Sequence, residues 1–178
     1  PMLKKFLIGL GAVVILLLVL VSVQPGTYRV ERSVTINGTA EAVFAKLANF
    51  KAWEAWSPWG KLDPNMKTTY GGPEEGVGAF YTWSGNDDVG VGKMTITAAT
   101  APTSLAIKLE FQEPFASLAN TSFALKSNGE KETVVTWSME GDNDFMGKAF
   151  SLMMDMDSMI GADFDKGLAA LKQVVEAG

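Results

Sequence analysis

The chain has 178 residues, a mean hydropathy of +0.13 and a formal net charge of −5. It contains no Cys and no His, which excludes disulfides, thiol nucleophiles, Ser-His-Asp triads and nearly all zinc sites. All 20 acidic residues follow the first apolar segment, whereas Lys4 and Lys5 precede it, so the remainder is more acidic than the whole chain and has no Lys/Arg stripe. That balance argues against nucleic acid as a partner and against docking on anionic headgroups.

The first segment, Phe6 to Val23, has no charged or strongly polar residue. As a helix at ~1.5 Å per residue it is ~27 Å long, close to the ~30 Å hydrocarbon core of a bilayer. It is longer than the ~7–15-residue apolar region of a signal peptide, and Val21-Ser22-Val23 puts Val where a cleavage site wants a small residue. The expectation is an uncleaved anchor, residues 1–26 including a short hinge at Gln24-Pro25-Gly26. Lys4 and Lys5 before the run, with Arg29 and Arg32 offset by Glu31 after it, favour a cytoplasmic N-terminus. The expected location is therefore the inner (cytoplasmic) membrane, crossed once, with the C-terminal domain in the periplasm.

Residues 27–178 read as one domain. Tyr28, Val30, Val34 and Ile36 share one parity, with Arg32 as the exception, and predict a half-buried strand. Thr39 is placed to cap a helix carrying Val43, Phe44 and Leu47 on one face. A second short helical segment holds Trp53 and Trp56 and stops at Ser57-Pro58. From Met66 to Glu140 six further strands are predicted: Met66–Tyr70, Val77–Trp83, Val89–Thr97, Ser104–Phe111, Leu118–Leu125 and Thr133–Glu140. Asn128-Gly129 is the strongest hairpin signal among them. After Gly141 the period changes to 3.6. Asp144 caps a helix expected over Phe145–Met154, and Met159 or Ile160, Phe164, Leu168, Leu171 and Val175 make one apolar face of a long C-terminal helix. Gly161 suggests a kink in it. The fold class is α+β: an antiparallel sheet of about seven strands, curled around that helix to cover its apolar side.

Several strings carry a family resemblance. They are Trp53-Glu54-Ala55-Trp56-Ser57-Pro58-Trp59, Asp63-Pro64, Trp83-Ser84-Gly85-Asn86, Gly90-Val91-Gly92-Lys93-Met94, and Met159-Ile160-Gly161-Ala162-Asp163-Phe164-Asp165-Lys166-Gly167-Leu168. With the element order, they make residues 28–175 resemble the START-like superfamily of helix-grip domains, nearest to bacterial membrane-anchored proteins of the polyketide cyclase/dehydrase and lipid transport type. The resemblance implies the helix-grip fold and a hydrophobic pocket between helix and sheet. Because this superfamily hosts carriers, cyclases and sensors, it does not choose among them.

Strand parity places Tyr81 with Trp83, Met94 with Ile96, Leu105 with Ile107, Leu109 and Phe111, Phe123 with Leu125, and Val135 with Trp137 and Met139. By pattern alone such stripes describe an ordinary core. With the resemblance they become candidate ligand-binding residues: Trp59, Tyr81, Trp83, Met94, Ile107, Leu109, Phe111, Phe123, Trp137, Met139, Met159 and Phe164, with Trp137 inside the pocket. Six of the nine Met fall between Met139 and Met159, suited to an adaptable apolar surface or to plain core filling. Met146 and Met154 have a second possible place near the membrane surface. Trp53 and Trp56 read as a plug joining helices to sheet.

Gly141–Gly147 imitates the start of a calcium loop but has Met146 and Met153 where oxygen ligands belong. No metal site, catalytic residue or cofactor is expected, and Asp155, Asp157, Asp163 and Asp165 read as a solvated face. The sequence thus leads to a membrane-tethered binding protein for a hydrophobic small molecule or lipid, acting as carrier, sensor or scavenger. Two alternatives stand beside it. One is a cyclase or dehydratase with Tyr81 or Glu110 moving protons. The other is a protein-interaction module whose cavity is filled by its own side chains.

Overall fold

The computed structural model describes residues 2–178. A long helix, α1 (Met2–Ser22), precedes β1 (Thr27–Ile36), α2 (Ala40–Ala48) and two short 3-10 turns, Phe50–Ala55 and Trp59–Lys61. Then come β2 (Lys67–Gly71), β3 (Phe80–Ser84), β4 (Val91–Thr100), β5 (Ser104–Glu113), β6 (Ser117–Ser127), β7 (Thr133–Asp142), α3 (Phe145–Ser151) and α4 (Met156–Glu176). The sheet is antiparallel with order β1-β7-β6-β5-β4-β3-β2. Only the β1–β7 pairing joins distant parts of the chain. Register shifts between Val91 and Gly92 and between Ile96 and Ala98 interrupt the β4–β5 ladder, and such bulges bend a strand and raise its twist.

α1 is long and apolar enough to cross a membrane. Its side chains are exposed, and only Val21 in its last turn is buried, where the helix meets α3. Val23–Gly26 join α1 to β1. They are pinned at their end by Asn143, whose backbone N–H donates to the Gly26 carbonyl at 2.9 Å and whose Nδ2 donates to the Pro25 carbonyl at 3.3 Å.

α4 lies along β1 and runs in the same direction. Near its start Arg32 Nη2 contacts the Asp157 carboxylate at 2.9 Å and the Asp157 carbonyl at 3.0 Å, while Nε is 3.5 Å from Asp165. Near its end Lys172 Nζ donates to the Thr35 carbonyl at 2.7 Å, and Glu176 accepts from the Asn37 N–H at 2.8 Å. Arg32 thus has the inward parity of its strand because its partners are on the helix. Asp157 and Asp165 are not merely solvated. Gly161 does not interrupt α4, which is continuous from 156 to 176. A Cβ there would collide with the Arg32 guanidinium, so the glycine makes room for the cation.

Caps behave as their chemistry demands. Thr39 Oγ1 accepts from the Ala42 N–H at 3.3 Å, and Asp144 accepts from the Gly147 N–H at 2.8 Å. α3 is shorter than expected, because Asp155 caps a new helix by accepting from the Asp157 N–H at 3.1 Å. Asn128-Gly129 opens a five-residue connection between β6 and β7 rather than a two-residue turn. The Asn128 N–H donates to the Glu132 carbonyl at 2.8 Å across it, and Gly129 takes φ +88°.

Two expected outcomes follow from this packing. A fragment beginning at Thr27 folds alone, and Leu168→Asp in it, at a site 1% exposed, lowers stability by about 3–5 kcal/mol, read by thermal melting. The second concerns acid. The Arg32 hydrogen bond holds the Asp157 carboxyl below the ordinary 3.8. A depressed carboxyl contributes stability that is full above its unfolded value and is lost as pH falls through its folded value. The stability difference between wild type and Arg32→Gln therefore holds from neutral pH to about 4 and shrinks below 3.8, measurable by urea unfolding at each pH.

Candidate functional site

The side chains on the inner face of the sheet divide into two zones. At the end distant from α1, aromatic rings fill the interior. Trp137 stacks on Phe164 of α4 at 3.9 Å between centroids and 6° between planes, and on Phe123 at 5.0 Å. Trp53 and Trp56 meet Trp137 edge-on at 6.3 and 5.7 Å, and Trp59 does so at 5.6 Å. The buried indole N–H groups are satisfied internally. Trp53 Nε1 donates to the Leu47 carbonyl at 2.9 Å, Trp56 Nε1 to the Lys46 carbonyl at 3.3 Å, and Trp137 Nε1 to Thr121 Oγ1 at 2.8 Å. Thr121 in turn donates to the Ser138 carbonyl at 2.9 Å. Gly167 completes the fit, for a Cβ there would lie 2.9 Å from the Trp137 ring and 3.1 Å from Pro58.

Toward the α1 end a looser zone begins, in which inward side chains of β4, β5 and β7 stay buried but gain a few per cent of exposure. On β5 exposure is 1% at Leu105 and Ile107 and 8% at Leu109, and Phe111 is half-buried. On β7 it rises from 1% at Trp137 to 7% at Met139, and on β4 from 1% at Ile96 to 6% at Met94. One cross-strand row traverses this zone: Tyr28, Gly141, Ala119, Leu109, Met94, Tyr81 and Tyr70. Gly141 and Ala119 leave space that the Tyr28 ring enters, its hydroxyl 2.7 Å from where a Gly141 Cβ would stand. Trp83 closes the row beyond. Its ring lies over Gly92 and edge-on to Phe111 at 5.9 Å, and its Nε1 donates to the Val89 carbonyl at 2.9 Å. At this end a cleft of about 520 Å³ opens between Pro25, Tyr28 and Val30 on one side and Leu152–Asp157 on the other.

Arg29, Asp155 and Asp157 line this cleft, while the ionisable groups on the inner face of the sheet beside it are the tyrosine hydroxyls. Burial pushes the Tyr81 phenol far above its usual value, with Tyr70 adding to it. Burial and then the Asp142 charge raise Tyr28 as well. Both stay protonated near neutrality. Glu110 does not join them. It has the outward parity of β5 and pairs with Lys108 at 2.9 Å, so its suggested role in proton transfer has no geometric support. Asp63 is the buried carboxylate among the described residues. It accepts from the backbone N–H of Asn65 and of Asn86, both at 2.8 Å, and staples two loops together.

The structure gathers Tyr81, Trp83, Met94, Leu109, Phe111 and Met139 in the looser zone, with Ile107 at its border. Phe123, Trp137, Phe164 and Trp59 belong to the aromatic plug. Met159 is 43% exposed on the outer side of α4, because Ile160 takes the inward position. Tyr28 escaped the sequence reading. Its parity with Val30 pointed inward, but the glycine opposite it on β7 that admits its ring becomes visible only with the strand register.

The profile of the family described as polyketide cyclase / dehydrase and lipid transport matches residues 27–176. The chain belongs to that family. No curated protein matches it in sequence. Among solved structures, the Aha1 dimer from Colwellia psychrerythraea is 15% identical, with a TM-score of 0.59 over 84% of this chain and 96% of that one. The protein jhp0584 from Helicobacter pylori is 9% identical, with a TM-score of 0.63 over 83% and 88%. Ara h 8.0201 is 12% identical, with a TM-score of 0.57 over 86% and 100%. At these identities the likeness is one of fold, the START-like helix grip.

The two zones differ in what a truncation does. Trp137→Ala removes the centre of the plug and costs about 3–5 kcal/mol, whereas Met94→Ala in the looser zone costs less than half as much. Chemical denaturation of both variants checks the contrast.

Proposed function

We propose that this protein is held in a membrane by α1 and binds a hydrophobic small molecule or lipid at the α1-proximal end of its helix grip, as a carrier, sensor or scavenger. One observation supports the site above others: the cleft of about 520 Å³ beside Tyr28, Val30, Met153, Met154 and Met156 opens at the end from which α1 departs, where inward side chains of β4, β5 and β7 also gain a little exposure. A ligand entering there meets Met94, Leu109, Met139, Trp83 and Phe111, a flexible and polarisable lining, with the Tyr28 and Tyr81 hydroxyls as its polar anchors. The family description includes lipid transport, which agrees with an apolar cargo. Lys4 and Lys5 in the first turn of α1, ahead of its apolar run, favour a cytoplasmic N-terminus and a periplasmic domain.

A second reading is a protein-interaction module, favoured by the stack of Trp137 on Phe164 that fills the distal interior. The ligand separates the two. A long-chain fatty acid titrated into the detergent-solubilised protein is expected to change its tryptophan fluorescence saturably at micromolar concentration. Leu109→Trp weakens that binding about tenfold or more while overpacking costs only ~1–3 kcal/mol of stability. A flat titration for the wild type leaves the interaction module as the better account. Orientation has its own check. Protease added to intact spheroplasts digests the domain if it faces outward, and digestion only after lysis reverses the topology.

A further inference from the structure

The exposed large apolar side chains beyond α1 are not scattered. Apart from Leu62 and Val77, they fall in the link after α1, at the β5–β6 turn and in the stretch from Phe145 to Met159. Phe115 is 77% exposed and Met153 86%, and Leu118, Phe145, Met146 and Phe150 stand with them. Strand register puts these segments at one end of the molecule. Thr27 opposes Asp142, Gly141 opposes Ala119, and Phe111 opposes Ser117. The β5–β6 turn therefore reaches past the level at which β1 begins, and α3 follows directly from the end of β7. Scattered single exposures are ordinary, but a contiguous set marks a surface made to be covered.

We infer that this end is a membrane-docking face, seated in the headgroup–acyl boundary of the same bilayer that holds α1. The inference rests on the tethering proposed above. Three features choose a bilayer as the occupant. The last turn of α1 packs against α3 through Val21, so the apolar face is continuous with the anchor. The link Val23–Gly26 spans at most roughly 14 Å fully extended, and its end is pinned by Asn143, so the domain has no freedom to stand away from the lipid. The side chains are large and flexible, of the kind that partition at an interface. The charges set the lipid class. Glu113, Asp142, Asp144 and Asp155 flank the face, and Lys148 is the basic residue of α3. Apolar burial rather than cationic attraction drives the docking, and a zwitterionic surface serves.

The absence of Cys makes the test direct, since any introduced thiol is unique. Full-length protein is reconstituted in phosphatidylcholine vesicles, with a nitroxide on Met153→Cys, Phe115→Cys, Leu16→Cys or Glu130→Cys, one per sample. Accessibility to oxygen and to a water-soluble nickel chelate is read for each. Leu16 in α1 reports whether the tether is in lipid, and Glu130 in the β6–β7 connection reports water. Docking requires the Met153 and Phe115 labels to favour oxygen over the chelate, between those two references. If Leu16 reads lipid but Met153 or Phe115 reads like Glu130, the docking face is wrong while the tether stands, and the surface is left to a protein partner. If Leu16 itself reads like Glu130, the tether fails and the docking with it.

Discussion

Trp137 is where the grip closes. A curled seven-stranded sheet has one long helix to cover its inner face, and a single ring, stacked flat on Phe164 and edge-on to three other tryptophans, joins the sheet to that helix and to the connection between α2 and β2. Its N–H is bonded to Thr121, which is bonded to the backbone of β7, so the ring is fixed in orientation as well as in depth. Such packing concentrates the aromatic contacts in the distal half of the interior.

Arg32 plays the electrostatic counterpart. It sits on the inward face of β1, among residues that bury apolar groups, and turns that position into an attachment point for α4. The contacts are partly solvated, and an exposed ion pair contributes little by itself. Its value is geometric: two carboxylates and a backbone carbonyl of α4 converge on one guanidinium, which fixes the helix along β1.

Most of the architecture was legible because it rests on local periodicities. Alternation gave each strand its inward face, and Thr39 and Asp144 marked their helix starts. What escaped is what depends on distant contacts. Arg32 looked like a break in the pattern, and Gly161 like a weak point in its helix, until the two met across 129 positions of chain. Asn128-Gly129 was a sound turn signal, yet the flanking residues chose a five-residue loop. Among the candidate site residues, parity found the correct face but not the depth. Nothing local distinguishes Trp137, inside the plug, from Met139, two residues nearer the opening. The register that aligns Gly141 with Tyr28 was likewise out of reach.

Under the tethering and ligand binding proposed above, the short link after α1 changes what affinity this domain needs. A freely diffusing binding protein must find an apolar molecule at its minute aqueous concentration. A domain whose opening is confined within roughly 14 Å of its own bilayer samples the concentration within the membrane instead. Such confinement raises effective concentration without any new contact. A modest intrinsic affinity, with correspondingly fast release, then suffices to keep the site occupied.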